Sequence, residues 1–130
     1  MGTYNQPILS VLICTRNRAD KLKRAVDSVL ANSFTNYELI VVDQSTDGGT
    51  AAALATLDDE RLRYIHTDTV GVAKSRNIAV RESRAEIVVY TDDDCVCHNQ
   101  WLASIHAEFE SDPTVGLCTA GSFPLATMRA

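Results

Sequence analysis

From residue 8 onward the sequence alternates short apolar runs with helical stripes, and this alternation constrains the fold more than any other feature. The first run, ILSVLIC at residues 8–14, is continuous, as in a strand covered on both faces. Similar runs follow at ELIVVD (38–43), LRYIH (62–66) and EIVVY (86–90), and a fifth strand is expected at 115–119. Between the first two, Leu22, Ala25, Val26, Val29 and Leu30 form the stripe of an amphipathic helix. A short Ala-rich helix is expected at 50–57, and a third at 72–83 presents Val72, Ala73, Ile78, Ala79 and Val80. A fourth, capped by Asn99, aligns Trp101, Leu102, Ile105 and Phe109 and stops at Asp112-Pro113. Repeated βα units of this kind predict an α/β fold: a mainly parallel, Rossmann-like sheet flanked by helices, with right-handed crossovers. No repeat or linker interrupts the 130 residues, so 1–130 reads as one domain, and the closing stretch GSFPLATMRA offers no obvious element.

The net charge of −5 argues against a general nucleic-acid surface. Basic residues gather locally at Arg16, Arg18, Lys21, Lys23 and Arg24, the last three as a solvated helix face. No apolar stretch approaches the ~20 residues of a membrane span. The leading MGTYNQP has neither the basic nor the apolar part of a signal peptide, and Met1-Gly2 alone is a weak acylation signal. Cys14, Cys95, Cys97 and Cys118 are expected as buried, reduced thiols of a cytosolic protein. Cys95-Val96-Cys97-His98 lacks the second ligand pair of a zinc site, and His66, His98 and His106 have no paired spacing.

The fourth apolar run ends in YTDDDC, which places Asp92, Asp93 and Asp94 together. Two like charges about 5 Å apart at an effective dielectric of about 20 repel by about 3 kcal/mol. A divalent cation would supply the counter-charge, since Mg²⁺ and Mn²⁺ favour carboxylate oxygens shared with phosphates. An acidic turn capping the next helix is the alternative, and these six residues do not separate the two. The other strand ends decide it. In open α/β sheets ligands bind beyond the carboxyl ends of the strands. Those ends carry Thr15-Arg16-Asn17 and Asp43 as well as the aspartates, and the loop before the third helix adds Gly71, Lys74, Arg76 and Asn77. A cap alone would not explain Asp43. There is no G-x-x-x-x-G-K-[ST], which excludes a P-loop, and no G-x-G-x-x-G after the first strand. The Thr-Arg-Asn loop suits a base and sugar better than a buried pyrophosphate, so the phosphates need the metal.

Four segments in order, SVLICTRNR, FTNYELIVVDQSTDG, GVAKSRNIAV and AEIVVYTDDDC, cover nearly all of residues 8–121. In them the chain resembles the nucleotide-sugar-binding part of a family 2 glycosyltransferase with a GT-A fold. That resemblance implies an inverting, metal-dependent sugar transferase that takes a nucleotide-activated donor, with UDP as the expected nucleotide. It implies that Thr15, Arg16 and Asn17 line the base and ribose pocket and that Asp43 hydrogen-bonds the base. Asp92 to Asp94 match the D-x-D motif: Asp92 faces the ribose or a coordinated water, Asp93 belongs to the nucleotide site, and Asp94 ligates Mg²⁺ or Mn²⁺, with Asp92 as the second metal residue. Arg76, with Lys74 as a further candidate, lies near the diphosphate. The implied acceptor is a glycan or lipid-linked sugar in cell-envelope polysaccharide synthesis. The implied location is cytoplasmic, with peripheral association at the inner face of the membrane as an option. A non-catalytic nucleotide-sugar-binding fragment and a nucleotidyltransferase-like enzyme are the competing classes; the latter would want glycines in the TRNRAD loop.

Three departures from the family pattern stand out. Only Gln44 separates Asp43 from Ser45-Thr46-Asp47, where two residues including a glycine are usual, so the base pocket is expected to differ. Ala79 and Ala85 stand where glycine is frequent, a small change. The family's catalytic carboxylate base comes from a later segment, and Glu108, Glu110 and Asp112 are expected to be solvated instead. The catalytic base is therefore unassigned, and the chain is expected to be a truncated donor-binding part.

Overall fold

The computed structural model describes residues 6–119 and 126–129, with side chains described through residue 116. Met1-Gly2, residues 121–125 of the closing stretch and the Cys118 thiol lie outside the described residues. The elements run β1 (Leu9–Thr15), α1 (Ala19–Leu30), β2 (Tyr37–Asp43), α2 (Gly49–Ala55), β3 (Leu62–His66), α3 (Val72–Glu82), β4 (Ile87–Asp92), α4 (Trp101–Ser111), β5 (Leu117–Thr119) and β6 (Ala126–Arg129). They build one sheet in the order β3-β2-β1-β4-β6-β5. β1 pairs in parallel with both β2 and β4, and β2 with β3, which gives the expected parallel α/β core. β6 was not anticipated. It runs antiparallel between β4 and β5, so β5 pairs with β6 rather than beside β4. Four residues of sequence ATMR carry no periodic apolar signal; such a strand takes its conformation from its partners.

β2 is buried along its whole length and β1 at every position except Cys14, so both faces of the central strands are covered. Strand alternation divides the core in two. Leu9, Val11 and Ile13 face Leu22, Val26 and Val29 of α1 and Trp101, Leu102, Ile105 and Phe109 of α4. Leu12, Ile40, Val42 and Val88 turn to the other face, where Ala79 of α3 meets them.

Three local expectations need correction. On α3 the buried positions are Ser75 and Ala79, while Val72 and Val80 are 59% and 39% exposed. Two small side chains one helical turn apart let α3 lie close to the sheet, which an apolar count of its residues does not reveal. Second, α4 starts after Gln100, and no side chain of the cap residue bonds its first turn. The Leu102 N–H is instead satisfied by Asn32 Oδ1 at 3.0 Å, a cap donated from the end of α1, while the Asn99 carbonyl accepts the Ser33 N–H. Third, Cys14, Cys95 and Cys97 are half-buried free thiols rather than fully buried ones. Among the described residues no helix is long and apolar enough to cross a membrane.

At the amino ends of the strands a buried carboxylate ties four segments together. Glu38 accepts from the Ser10 hydroxyl (2.6 Å), the Arg84 N–H (2.6 Å) and Arg63 Nη1 (2.8 Å). Arg63 also bonds the Glu82 carbonyl and carboxylate, which fastens the end of α3. Removing the cation would leave a carboxylate that is 6% exposed without its charge partner. Arg63→Ala is expected to lower unfolding free energy by about 3 kcal/mol. Lys23→Ala, which breaks only the exposed Lys23–Asp27 pair on α1, should cost under about 0.5 kcal/mol. Urea unfolding of the two variants measures the contrast, and equal midpoints would refute it.

Candidate functional site

The parallel register aligns the carboxyl ends of three strands: Thr15 stands opposite Asp43, and Cys14 opposite Asp92. Neighbouring strands lie about 4.8 Å apart, so Asp43 and Asp92, on either side of β1, are about 10 Å apart across the sheet edge. The loops that leave these ends are fastened to each other. Asn17 adopts a left-handed backbone (φ 55°), which asparagine tolerates better than most residues. Its N–H donates to Ser45 Oγ at 2.8 Å, and its Oδ1 accepts the Thr46 N–H at 3.0 Å. The loop after β1 is thereby clipped to the loop after β2.

Asp43 is fully buried. Its Oδ1 accepts the Ser45 N–H at 2.9 Å and its Oδ2 accepts the Tyr64 hydroxyl at 2.6 Å. Tyr64 was not singled out by its sequence; the register sets His66 opposite Asp43, and Tyr64 reaches the carboxylate from two residues earlier in β3. Burial first, then the hydrogen bond to Asp43, pushes the Tyr64 phenol up to about 12.

A cavity of about 320 Å³ opens at this edge. Of the residues singled out above, Thr15, Arg16, Arg76, Asp92, Asp93 and Asp94 line it, and Arg18, Gln44, Ser75 and Tyr90 join them. Asn17, Asp43 and Lys74 are not in its wall; Asn17 borders a second, more open hollow with Asp47. Cys14 lies in the wall too, where burial pushes its thiol up while a hydrogen bond with Ser75 acts the other way.

The three aspartates, at the end of β4 and in the turn after it, divide into one inner and two outer carboxylates. Asp93 is buried; its Oδ2 accepts the Thr15 hydroxyl at 2.9 Å and its Oδ1 faces Arg18 Nη1 at 3.3 Å. Asp92 and Asp94 are half-exposed, with Arg76 3.9 Å from Asp92 and Arg18 3.9 Å from Asp94. Arg76 also lies over the Tyr90 ring, 5.6 Å from its centroid. Two guanidiniums therefore partly offset three carboxylates. Arg18 escaped notice because only its place in a basic cluster was legible, not its reach back to β4.

The outer carboxylates suit a divalent cation. Oxygens of Asp92 and Asp94 and the Cys95 sulfur lie within 4.8 Å of one another. Opposite oxygens around Mg²⁺ are about 4.2 Å apart, so small side-chain adjustments would bring both carboxylates to one ion. The half-exposed setting leaves room for water or phosphate oxygens to complete the shell.

The sequence model of glycosyl transferase family 2 matches residues 10–123. The chain belongs to that family. Glycosyltransferase AglE of Haloferax volcanii is 30% identical over 105 residues, which is 77% of this chain and 34% of AglE. The putative colanic acid biosynthesis glycosyl transferase WcaA of Escherichia coli K12 is 37% identical over 93 residues, 69% of this chain and 33% of WcaA. The chain thus spans about a third of the length of these family 2 relatives. Mannosyltransferase PcManGT of Pyrobaculum calidifontis, solved with GDP-Man and Mn²⁺, superposes with a TM-score of 0.83 at 26% identity over 97% of this chain and 45% of that one. Residues 1–349 of S. aureus TarS share the fold, with a TM-score of 0.78 at 19% identity over 93% of this chain and 46% of that one. The family 2 chain therefore has the GT-A fold that its motifs imply.

Because the Tyr64 phenol ionises near 12 when folded against an ordinary value of 10, the folded chain holds that proton more tightly. The resulting stability is present below pH 10 and is lost as pH rises from 10 toward 12. Tyr37, pushed up to about 12 by burial, acts in the same window. Tyr64→Phe should destabilise by about 1.5–3 kcal/mol at neutral pH, the range for a hydrogen bond to a charged group. It should also flatten, without abolishing, the fall in melting temperature above pH 10. Melts of both proteins across that range check this; superimposable profiles would contradict it.

Proposed function

We propose that residues 1–130 form one donor-binding unit of a metal-dependent glycosyltransferase that uses a nucleoside diphosphate sugar. The observation that carries this reading is the cavity itself: paired outer carboxylates and a flanking arginine share one wall with Thr15 at the carboxyl edge of a parallel sheet. Metal-bridged diphosphates are held by that combination of hard oxygen ligands and cations. Family membership and the likeness to PcManGT, which was solved with GDP-Man and Mn²⁺, support the same reading.

In this proposal Asp94 and Asp92 hold Mg²⁺ or Mn²⁺, with Asp92 also reaching the ribose or a coordinated water. Thr15, Arg16 and Asn17 serve the base and ribose end. Asp43 belongs to the base end as well, ordering it through Ser45 and Tyr64. Asp93 serves the nucleotide site by fixing the Thr15 hydroxyl and Arg18. Arg76 serves the diphosphate. When bound, the metal supplies positive charge where the leaving nucleoside diphosphate becomes more negative. The chain's own contribution is to orient the diphosphate between Asp92, Asp94 and Arg76, with Leu12 and Val72 as apolar parts of the same wall. UDP is the expected nucleotide and inversion the expected outcome. A cell-envelope glycan or lipid-linked acceptor, met at the inner face of the membrane, fits the colanic acid assignment of WcaA. Glu108 and Glu110 are exposed on α4 and, with Asp112, lie outside the cavity wall, so none is proposed as the base.

Calorimetric titration of UDP and GDP with and without Mn²⁺ tests the assignment. Without metal the aspartates, only partly offset by Arg18 and Arg76, repel the phosphates, and affinity should fall at least tenfold, about 1.4 kcal/mol. Asp94→Ala should remove most of that metal dependence. Equal affinity with and without Mn²⁺ would count against the site.

A further inference from the structure

We propose that Cys95 is a third protein ligand at the Asp92–Asp94 metal position, and that its sulfur biases that position toward thiophilic divalent ions such as Zn²⁺ over Mg²⁺. The inference rests on the donor-site reading above and adds to it a residue that sets metal preference. A tight turn makes the placement possible. The Cys95 N–H donates to the Asp92 carbonyl at 3.3 Å, which closes residues 92–95 on themselves. Asp93, inside the turn, is committed to Thr15 and Arg18. Asp92 and Asp94 stay half-exposed and Cys95 half-buried, and one oxygen of each carboxylate and the sulfur all lie within 4.8 Å of one another. Among the described residues no other three histidine, cysteine or acidic side chains gather this closely.

The spacing suits a mixed shell of sulfur and oxygen. With Zn–S about 2.3 Å and Zn–O about 2.1 Å, a tetrahedral S···O edge is about 3.6 Å. Cys95 Sγ lies 3.7 Å from Asp94 Oδ1. Without an ion that contact is a weak S–H···O hydrogen bond. When an ion binds, the thiol proton passes to solvent and the two atoms become neighbouring ligands. Three protein ligands with a fourth position open to water or a phosphate oxygen is the pattern of catalytic zinc sites.

The thiolate and two carboxylates carry one negative charge more than the ion neutralises. Arg76 and Arg18, each 3.9 Å from one of the carboxylates, offset the excess. Mg²⁺ keeps oxygen ligands, whereas thiolate favours Zn²⁺, so the sulfur tilts the preference. The side chains just beyond Cys95 are engaged elsewhere: the Cys97 thiol with Ser28 and Thr91, and His98 Nδ1 as acceptor of the Gln100 N–H. The partners of Cys95 are therefore the carboxylates before it and not Cys97 or His98 after it.

Co²⁺ reads the sulfur directly, because a bound thiolate gives it an intense near-ultraviolet charge-transfer band that oxygen ligands do not. The reduced 130-residue chain, titrated with Co²⁺, should develop this band. Cys95→Ser should lack it, Cys97→Ser should retain it, and Asp94→Ala should need about tenfold more Co²⁺ to reach it. Calorimetric competition should show the margin of Zn²⁺ over Mg²⁺ shrinking about tenfold in Cys95→Ser, since even a change outside the ligand shell costs a metal site that much. Cys95→Asp, which exchanges the sulfur for oxygen and keeps a ligand, should shrink it too. A wild-type chain without the band, or a band that survives in Cys95→Ser, would overturn the role of Cys95, and Mn²⁺-dependent binding of UDP would then show the donor site standing without it. A band indifferent to Asp94→Ala would also overturn it, since the sulfur would be binding Co²⁺ away from the carboxylates. A band lost in Cys95→Ser, in a chain whose UDP affinity ignores Mn²⁺, would uphold the cysteine ligand and overturn the donor-site reading.

Discussion

Everything at the functional edge depends on the hydrogen-bond register of one strand. β1 has parallel partners on both sides, and in-register pairing sets Thr15 against Asp43 and Cys14 against Asp92. A slip of one residue would turn every side chain to the opposite face. The two-sided core forbids that: Leu9, Val11 and Ile13 are committed to the α1 and α4 layer, and Leu12 to the α3 layer. The same packing that stabilises the sheet therefore holds the ends of three strands level, and hydrogen bonds among the polar residues just beyond them, Thr15 to Asp93 and Asn17 to Ser45 and Thr46, fasten the converged set.

Charge then divides the labour among three adjacent aspartates. At the end of β4 and in the turn that follows it, Asp93 is buried while Asp92 and Asp94 face solvent. An inward carboxylate needs partners, and Asp93 has the Thr15 hydroxyl and Arg18. The outward pair is open to water, and its longer 3.9 Å approaches to Arg76 and Arg18 are the loose pairs expected of half-exposed groups. The middle residue of YTDDDC is thus structural in its contacts and its neighbours are available.

The layers of this fold were legible because continuous apolar runs and 3.6-residue stripes are local signals. β3 was read to the residue, and the stripe of Trp101, Leu102, Ile105 and Phe109 is buried. What stayed hidden came from contacts distant in sequence. The cap of α4 is donated by Asn32, about seventy residues earlier in the chain. Tyr64 reaches Asp43 only because β3 lies beside β2, and Arg18 reaches Asp93 only because β4 lies beside β1. α3 misled for a different reason: its packing face is chosen by small size, whereas hydropathy alone favours Val72 and Val80. At the site, strand-end logic found the carboxylates and Thr15. It could not separate Asp43, which lies buried behind the wall, from Gln44 in it, because that depends on which side of a backbone each side chain leaves.

The two ends of the sheet show how such a site can be ordered before a ligand arrives. At the amino ends, Glu38 binds β1, β2, β3 and the segment before β4 into one charged node. At the carboxyl ends the loops are cross-linked by neutral hydrogen bonds, Asn17 to Ser45 and Thr46 and Gln44 to Thr69 and Gly71, and by buried Asp93, which holds Thr15 and Arg18. These links hold the loops together with no ligand present. They also lower the conformational entropy that ligand binding must remove, because the loops after β1, β2 and β3 are already joined. Gly71, at φ 107°, provides the turn that brings its carbonyl back to Gln44 and delivers α3, with Arg76 on its second turn, to the cavity. The Gln44 amide in this way ties the loop after β2 to the loop that leads into α3.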